Sequence, residues 1–268
     1  MATLACFHAH PDDETIATGG LMAKAKSAGH RVVLIVATKG EHGEIQPGVL
    51  DEGEVLGDRR VQEVAEAAEV LGVDRVEFLG YVDSGMIGEP ENDLPGSFWT
   101  AEVDEAAERL AAILRDEAVD VLTVYDDHGG YGHPDHIQVH RVGHRAAERA
   151  GVARVFESTM DRDAMIAGMR EAAERGELPD DFEMPDIDVV DQFGSASHVI
   201  THEVDVSAFA ATKRRALALH ASQVGPDSFF LAMPEDQFAQ AFGRECFIDP
   251  GWSRAPEAPR RTDLFEGL

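Results

Sequence analysis

Across residues 1–160, short unbroken apolar runs alternate with longer stretches in which apolar residues return every three or four positions. Thr3–His8 is an apolar, strand-like run, and Thr15–Gly29 has helical spacing with Gly29 as its stop. Arg31–Thr38 (RVVLIVAT) is β-branched without alternation, the mark of a strand buried on both faces. Asp58–Gly72 carries Val61, Val64, Ala65, Ala68 and Leu71 on one stripe, with Asp58 as expected cap and Gly72 as stop. Arg75–Gly80 reads as a third strand and Ala101–Glu117 as a helix burying Val103, Ala107, Leu110, Ala111 and Leu114. Val119–Tyr125 is a fourth strand, His136–Ala150 a helix and Val152–Ser158 a fifth strand. This rhythm predicts an α/β fold: a Rossmann-like, mostly parallel twisted sheet of order 3-2-1-4-5, plus late strands, with helices on both faces.

Beyond residue 160 the pattern loosens. Asp161–Gly176 predicts a helix, Glu177–Asp191 a loop, Ser197–Val206 a late strand, and Phe209–Gln223 a helix carrying Lys213, Arg214 and Arg215. A single domain over 1–250 is expected, followed by a poorly ordered tail, 251–268, with Pro256, Pro259, Arg260 and Arg261.

Composition narrows the function classes. With 51 acidic against 23 basic residues the net charge is −28, which disfavours general nucleic-acid binding and attachment to an anionic membrane. No apolar run approaches the ~18 residues of a membrane span, and no basic n-region marks a secretory signal. Two cysteines cannot build a disulfide framework, so a cytoplasmic location is expected. No feature requires a protein partner, and a homo-oligomer is left open.

Ligands of a parallel sheet bind beyond the carboxyl ends of its strands, where strand order reverses. A dinucleotide binder would place Gly-x-Gly-x-x-Gly after the first strand. Here the turn reads His8-Ala9-His10-Pro11-Asp12-Asp13-Glu14, whose carboxylates would repel a pyrophosphate. After the fourth strand, His133-Pro134-Asp135-His136 again opens a helix. Either segment alone reads as a turn and helix cap. Facing each other from neighbouring strands, they offer imidazole and carboxylate groups that suit Zn²⁺ with a position left for water. His140 and His144 follow His136 at four-residue spacing and read as helix-surface histidines, while His8 reads as structural.

The run Ala9–Glu14 paired with Gly132–His136 resembles the LmbE-like, or PIG-L, zinc-dependent deacetylases, which remove N-acyl groups from amino sugars. The likeness covers residues 3–150, and more loosely Lys213–Gln223. Gly129–Gly132 and Asp83–Met86 look most like the actinobacterial mycothiol branch, which holds an inositol-linked N-acetylglucosamine deacetylase and a mycothiol-conjugate amidase. The resemblance implies His10, Asp13 and His136 as ligands of Zn²⁺, with Fe²⁺ the other metal a His₂Asp set takes. It implies Asp12 as general base and His133 as electrophile or acid, oriented by Asp135. Elementary chemistry agrees with those roles: amide hydrolysis needs an activated water, a base for its proton and a donor for the oxyanion.

Tyr131, in a glycine-flanked loop, is a further candidate at the oxyanion. Substrate contacts are expected from Glu44 (with Glu41 also available), Arg60, Asp83 and His220, and specificity from loops 45–57, 86–100 and 177–196. Pro90–Ser97 reads as a lid. The expected substrate is a small amino-sugar conjugate. The rivals are a thiol-sugar amidase, a deacetylase tailoring a secondary metabolite, a metal-dependent phosphoesterase, and a non-catalytic sugar- or nucleotide-binding module.

Overall fold

A computed structural model describes residues 1–176, 193–255 and 258–268. The parallel half of the sheet contains β1 (Thr3–His8), β2 (Arg31–Val36), β3 (Arg75–Phe78), β4 (Val121–Tyr125) and β5 (Arg154–Thr159). Two late strands, β6 (His202–Asp205) and β7 (Arg244–Ile248), complete the order β3-β2-β1-β4-β5-β7-β6. The first five pair in parallel, and β7 joins antiparallel to both β5 and β6. The expected order 3-2-1-4-5 is therefore present, with β1 and β4 adjacent at the switch point.

The central strands are apolar throughout because both faces are covered. Ala5, Phe7, Val33 and Ile35 pack with α3 (Val103–Asp116) and α5 (Pro134–Ala150), which follows the single turn α4 (Gly129–Gly132). Leu4, Cys6, Val32 and Leu34 pack with α1 (Asp13–Ser27) and α2 (Leu56–Leu71). Successive strand residues point to opposite faces, so each run splits evenly between the two cores. Among the described residues no helix is long and apolar enough to cross a membrane.

Several boundaries depart from the sequence expectation. Val55, not Asp58, precedes α2; Asp58 lies in the first turn, where its charge favours the helix dipole and pairs with Lys39. Gly72 does end the helix, in the left-handed conformation at φ 77°. The helix expected over 161–176 is α6 (Arg162–Glu174), and the one expected over 209–223 is α7 (Ala210–Leu217), preceded by a tight turn. The chain leaves the helical path where Glu14 engages His220 and Glu63 engages Ser222. The late strand is shorter than expected, and its partner β7 went unread. Pro90–Ser97 is not a free lid: buried Asn92 donates to the carbonyls of Ser84 and Met86, and Ser97 bridges to Val82. The expected loop 177–191 lies outside the described residues.

The described end of the tail, residues 258–268, is docked rather than loose. Leu264 is buried in the core beneath β1 and β2, Phe265 stacks on His30, and Arg261 forms a bridge with His202 of β6. Burial of the Leu264 and Phe265 side chains offsets the cost of ordering this end of the chain.

Candidate active site

The turn after β1 and the first turn of α5 meet at the carboxyl ends of β1 and β4. His10 is fixed from three sides. Its Nδ1 lies 3.2 Å from Asp13 Oδ2, and its Nε2 lies 3.2 Å from Asp135 and 3.5 Å from Asp83. Carboxylates only accept and they flank both ring nitrogens; with an ion seated beside Asp13, Nε2–H would donate to Asp135 and Nδ1 would offer its lone pair to that ion. His136 is set in the complementary way. Its Nδ1 meets the Gly129 carbonyl at 3.2 Å, which makes Nδ1 the donor and leaves Nε2 as lone pair. That Nε2 is buried, lies 3.3 Å from Asp13 Oδ2, and has no hydrogen-bond partner among the described residues. Its ring stacks on Tyr125, with centroids 4.3 Å apart.

These atoms fit a metal ion. A buried, unpartnered imidazole nitrogen is costly unless something accepts its lone pair. Tetrahedral bonds of about 2.0–2.1 Å place ligand atoms roughly 3.3 Å apart, close to the two separations of Asp13 Oδ2 from the histidine nitrogens. Asp135 and Asp83 behind His10, and the Gly129 carbonyl behind His136, are the outer partners that hold ligating histidines in one tautomer. A donor atom of His133 also lies within 4.8 Å of one each from His10 and His136.

Asp12 and Asp13 are adjacent in sequence but driven apart in acidity. Burial raises both. At Asp13 it is overcome by His136 and His10, which hold the carboxyl well below the usual value. At Asp12 burial prevails over Arg60, and the negative Asp13 adds to it, so its pKa is pushed up to about 6. Such a split suits a permanent anion beside a group able to exchange a proton. For His10, burial opposes the charge, but Asp13, Asp135 and Asp83 outweigh it and raise the pKa well above the usual value. Asp12 sits at φ 103°, a region that side chains rarely occupy. The strained backbone is held by Glu14, which accepts the Asp12 N–H at 2.8 Å while its other oxygen takes His220 at 2.7 Å.

The other expected site residues divide. His133 caps α5, its Nδ1 accepting the backbone N–H of Asp135 at 3.1 Å. The Asp135 carboxylate does not touch that ring: it is wholly buried on Ser84 N–H, Ser84 Oγ and His10. Orientation of His133 therefore comes from the Asp135 main chain, and its side chain serves His10. Nor is His133 a standing imidazolium, since burial and the neighbouring His10 and His136 push its pKa down to about 3. Tyr131 is partly exposed and edge-on to His133 and His136.

Arg60, expected at the substrate, is buried; it donates to the carbonyls of Gly40 and Pro11 and pairs with Asp12 at 3.3 Å. His220 is also sealed, bonded to Glu14 rather than open to a ligand. Asp83 accepts from His42 and Gly85 N–H groups beside His10. Glu44 is exposed on the loop after β2, whereas Glu41 accepts the Asp83 N–H. Sequence reasoning gave no role to Glu14, Ser84 or Tyr125. Only the position of Tyr125, last in a switch-point strand, was a signal. His8 is structural, bonded to Tyr125 and Thr18.

Residues 5–147 match the model of the family described as PIG-L, GlcNAc-PI de-N-acetylase. The chain is 41% identical to a 1D-myo-inositol 2-acetamido-2-deoxy-alpha-D-glucopyranoside deacetylase of Streptomyces griseus, over 97% of this chain and 87% of the relative. It is 40% identical to the deacetylase of the same name from Acidothermus cellulolyticus, over 100% and 96% of the two chains. In fold it is similar to the N,N'-diacetylchitobiose deacetylase from Pyrococcus horikoshii, with TM-score 0.57 and 23% identity over 93% and 84%. The likeness runs nearly end to end, and the two histidine-bearing turns that carry it converge on one centre: the chain belongs to the PIG-L, GlcNAc-PI de-N-acetylase, family.

Proposed function

We propose that the protein is a zinc-dependent N-deacetylase acting on an N-acetylglucosaminyl inositol, the class of substrate its relatives are named for. The observation that carries this reading is the trio His10, Asp13 and His136, with its buried unpartnered nitrogen, beside an Asp12 of raised pKa. Two imidazoles and a carboxylate suit zinc, with Fe²⁺ the alternative. Bound there, the ion would acidify a water and polarise the acetamide carbonyl. Asp12 takes the proton of the attacking water and returns it to the departing amine, a cycle suited to a pKa near 6. His133 offers Nε2–H to the developing oxyanion, because its Nδ1 is committed to the Asp135 N–H. Arg60 positions Asp12, Asp83 holds His10, Tyr131 covers the imidazoles, and the exposed Glu44 contacts sugar hydroxyls. The cytoplasm is the proposed location, and residues 1–250 the catalytic domain.

Metal analysis of the purified protein, with acetate release from N-acetylglucosaminyl inositol and from free N-acetylglucosamine, tests the proposal. At least one zinc or iron per chain is expected, with faster acetate release from the conjugate. Metal without acetate release would redirect the site to another acyl conjugate. No metal after reconstitution would overturn the reading.

A further inference from the structure

The helix face that delivers His136 to the centre continues into a second cluster. His140 and His144 follow at successive four-residue steps on α5, and Glu157 reaches them from β5. His144 Nε2 lies 2.9 Å from Glu157 Oε1, and His140 Nδ1 lies 3.6 Å from the same oxygen. The two rings meet edge to face at 4.6 Å. One donor atom from each of the three residues lies within 4.8 Å of the other two. His140 Nδ1 donates to the Tyr125 carbonyl at 3.0 Å, so an ion at Nδ1 would replace that hydrogen and have the carbonyl oxygen beside it.

From this geometry we infer that His140, His144 and Glu157 form a second binding site for a first-row divalent transition metal. Two imidazoles one helical turn apart on one face form a chelate, and the carboxylate from the neighbouring strand closes it. The separations already bracket the roughly 3.3 Å between ligand atoms at about 2.0–2.1 Å from an ion. The cluster differs from a sealed core pair in being reachable: the side chains of His140, His144 and Glu157 keep 21%, 28% and 11% of their exposure. Glu157 also lines an open hollow with Asp127, His128 and His198. Loading needs no net proton release from neutral imidazoles: the ring hydrogen moves through solvent from Nε2 to Nδ1 of His144 and from Nδ1 to Nε2 of His140, and the ion takes the vacated positions. The surrounding charge of −28 favours the cation further. Tyr125 joins the two centres, its carbonyl on His140 and its ring on His136.

Equilibrium dialysis of chelator-stripped protein against Co²⁺, with elemental counting and visible absorption, tests the assignment. Two ions per chain are expected for the unaltered protein and one for His140→Ala/His144→Ala. The His10→Ala/His136→Ala variant should also bind one, which separates this site from the catalytic reading. Glu157→Gln keeps a hydrogen-bonding partner for His144 and guards against loss through misfolding; it should weaken the second ion at least about 10-fold. A single ion in the unaltered protein, or a second ion that survives loss of both His140 and His144, overturns the inference.

Discussion

Asp12 combines a left-handed backbone, a guanidinium partner and a raised pKa, and each bears on what its replacement would do. Asparagine tolerates positive φ and keeps the shape but cannot take a proton. Asp12→Asn should therefore lower kcat about 10²–10⁴-fold while the metal count stays unchanged, checked by turnover beside elemental analysis. Loss of metal together with activity would instead make Asp12 a structural member of the ligand set. The Glu14–His220 pair behind it gives a pH-dependent stability. Burial opposes the His220 charge, but Glu14 overrides it and raises the pKa above 6.5; at Glu14, burial is overcome by His220 and the pKa falls below 4.5. The histidine contribution is complete below 6.5 and lost as pH rises through the raised value. The glutamate contribution is complete above 4.5 and lost as pH falls through the lowered one. Between those limits His220→Gln should cost most, about 3 kcal/mol for breaking a buried pair, and the cost should shrink at alkaline pH in denaturant titrations. A flat cost would show that packing, not charge, is what His220 supplies. At this scale the sequence displayed ligand types at strand ends, so His10, Asp12, Asp13 and His136 were legible. The direction of a side chain is not written locally: Arg60 turned inward, and Asp135 chose His10 over His133.

Elements were legible where one physical demand dominated. The runs in β1, β2 and β4 are apolar because both faces are buried, and no turn residue interrupts them. β7 was missed because RECFI carries a charge that is nonetheless buried. Glu245 accepts the N–H groups of Gly20 and Leu21 and pairs with Lys213, a partnership 225 residues distant from Gly20 that no local window reveals. The seating of α5 on β4 matters most for the site. A Cβ built on Gly143 would stand 2.3 Å from Val124 Cγ1, so the glycine sets how closely the helix approaches the sheet. Gly143→Ala should destabilise by up to about 2 kcal/mol despite alanine's better helix propensity, because overpacking costs about 1–3 kcal/mol against a gain of about 1 kcal/mol. It should also weaken metal binding, since His133 and His136 ride on the same helix. Val124→Ala in the same chain should recover much of both, measured by thermal melts and metal titration. Failure of that rescue would place the strain elsewhere.

The molecule as a whole carries more than twice as many acids as bases, so its salt bridges leave a large unpaired negative excess. Screening extends over about 10 Å at 0.1 M salt, and self-repulsion of that excess should dominate the few surface pairs, which contribute little each. The melting temperature should rise with added salt, a gain of about 1 kcal/mol appearing as roughly 2–4 °C for a chain of this size. A fall would mean that pairs such as Arg75 with Asp116 and Glu117 govern stability instead. The strand order has a further consequence, in time rather than space. His8 at the end of β1 meets Tyr125 at the end of β4 across 117 residues of chain, and closing so long a loop is slow. During synthesis His10, Asp12 and Asp13 emerge early and wait without the other half of the centre while α2, β3 and α3 are made. On the proposed reading, metal capture and hydrolytic competence would arrive only when β4 has taken its place beside β1. A chain caught in the wrong strand order has no catalyst to misuse.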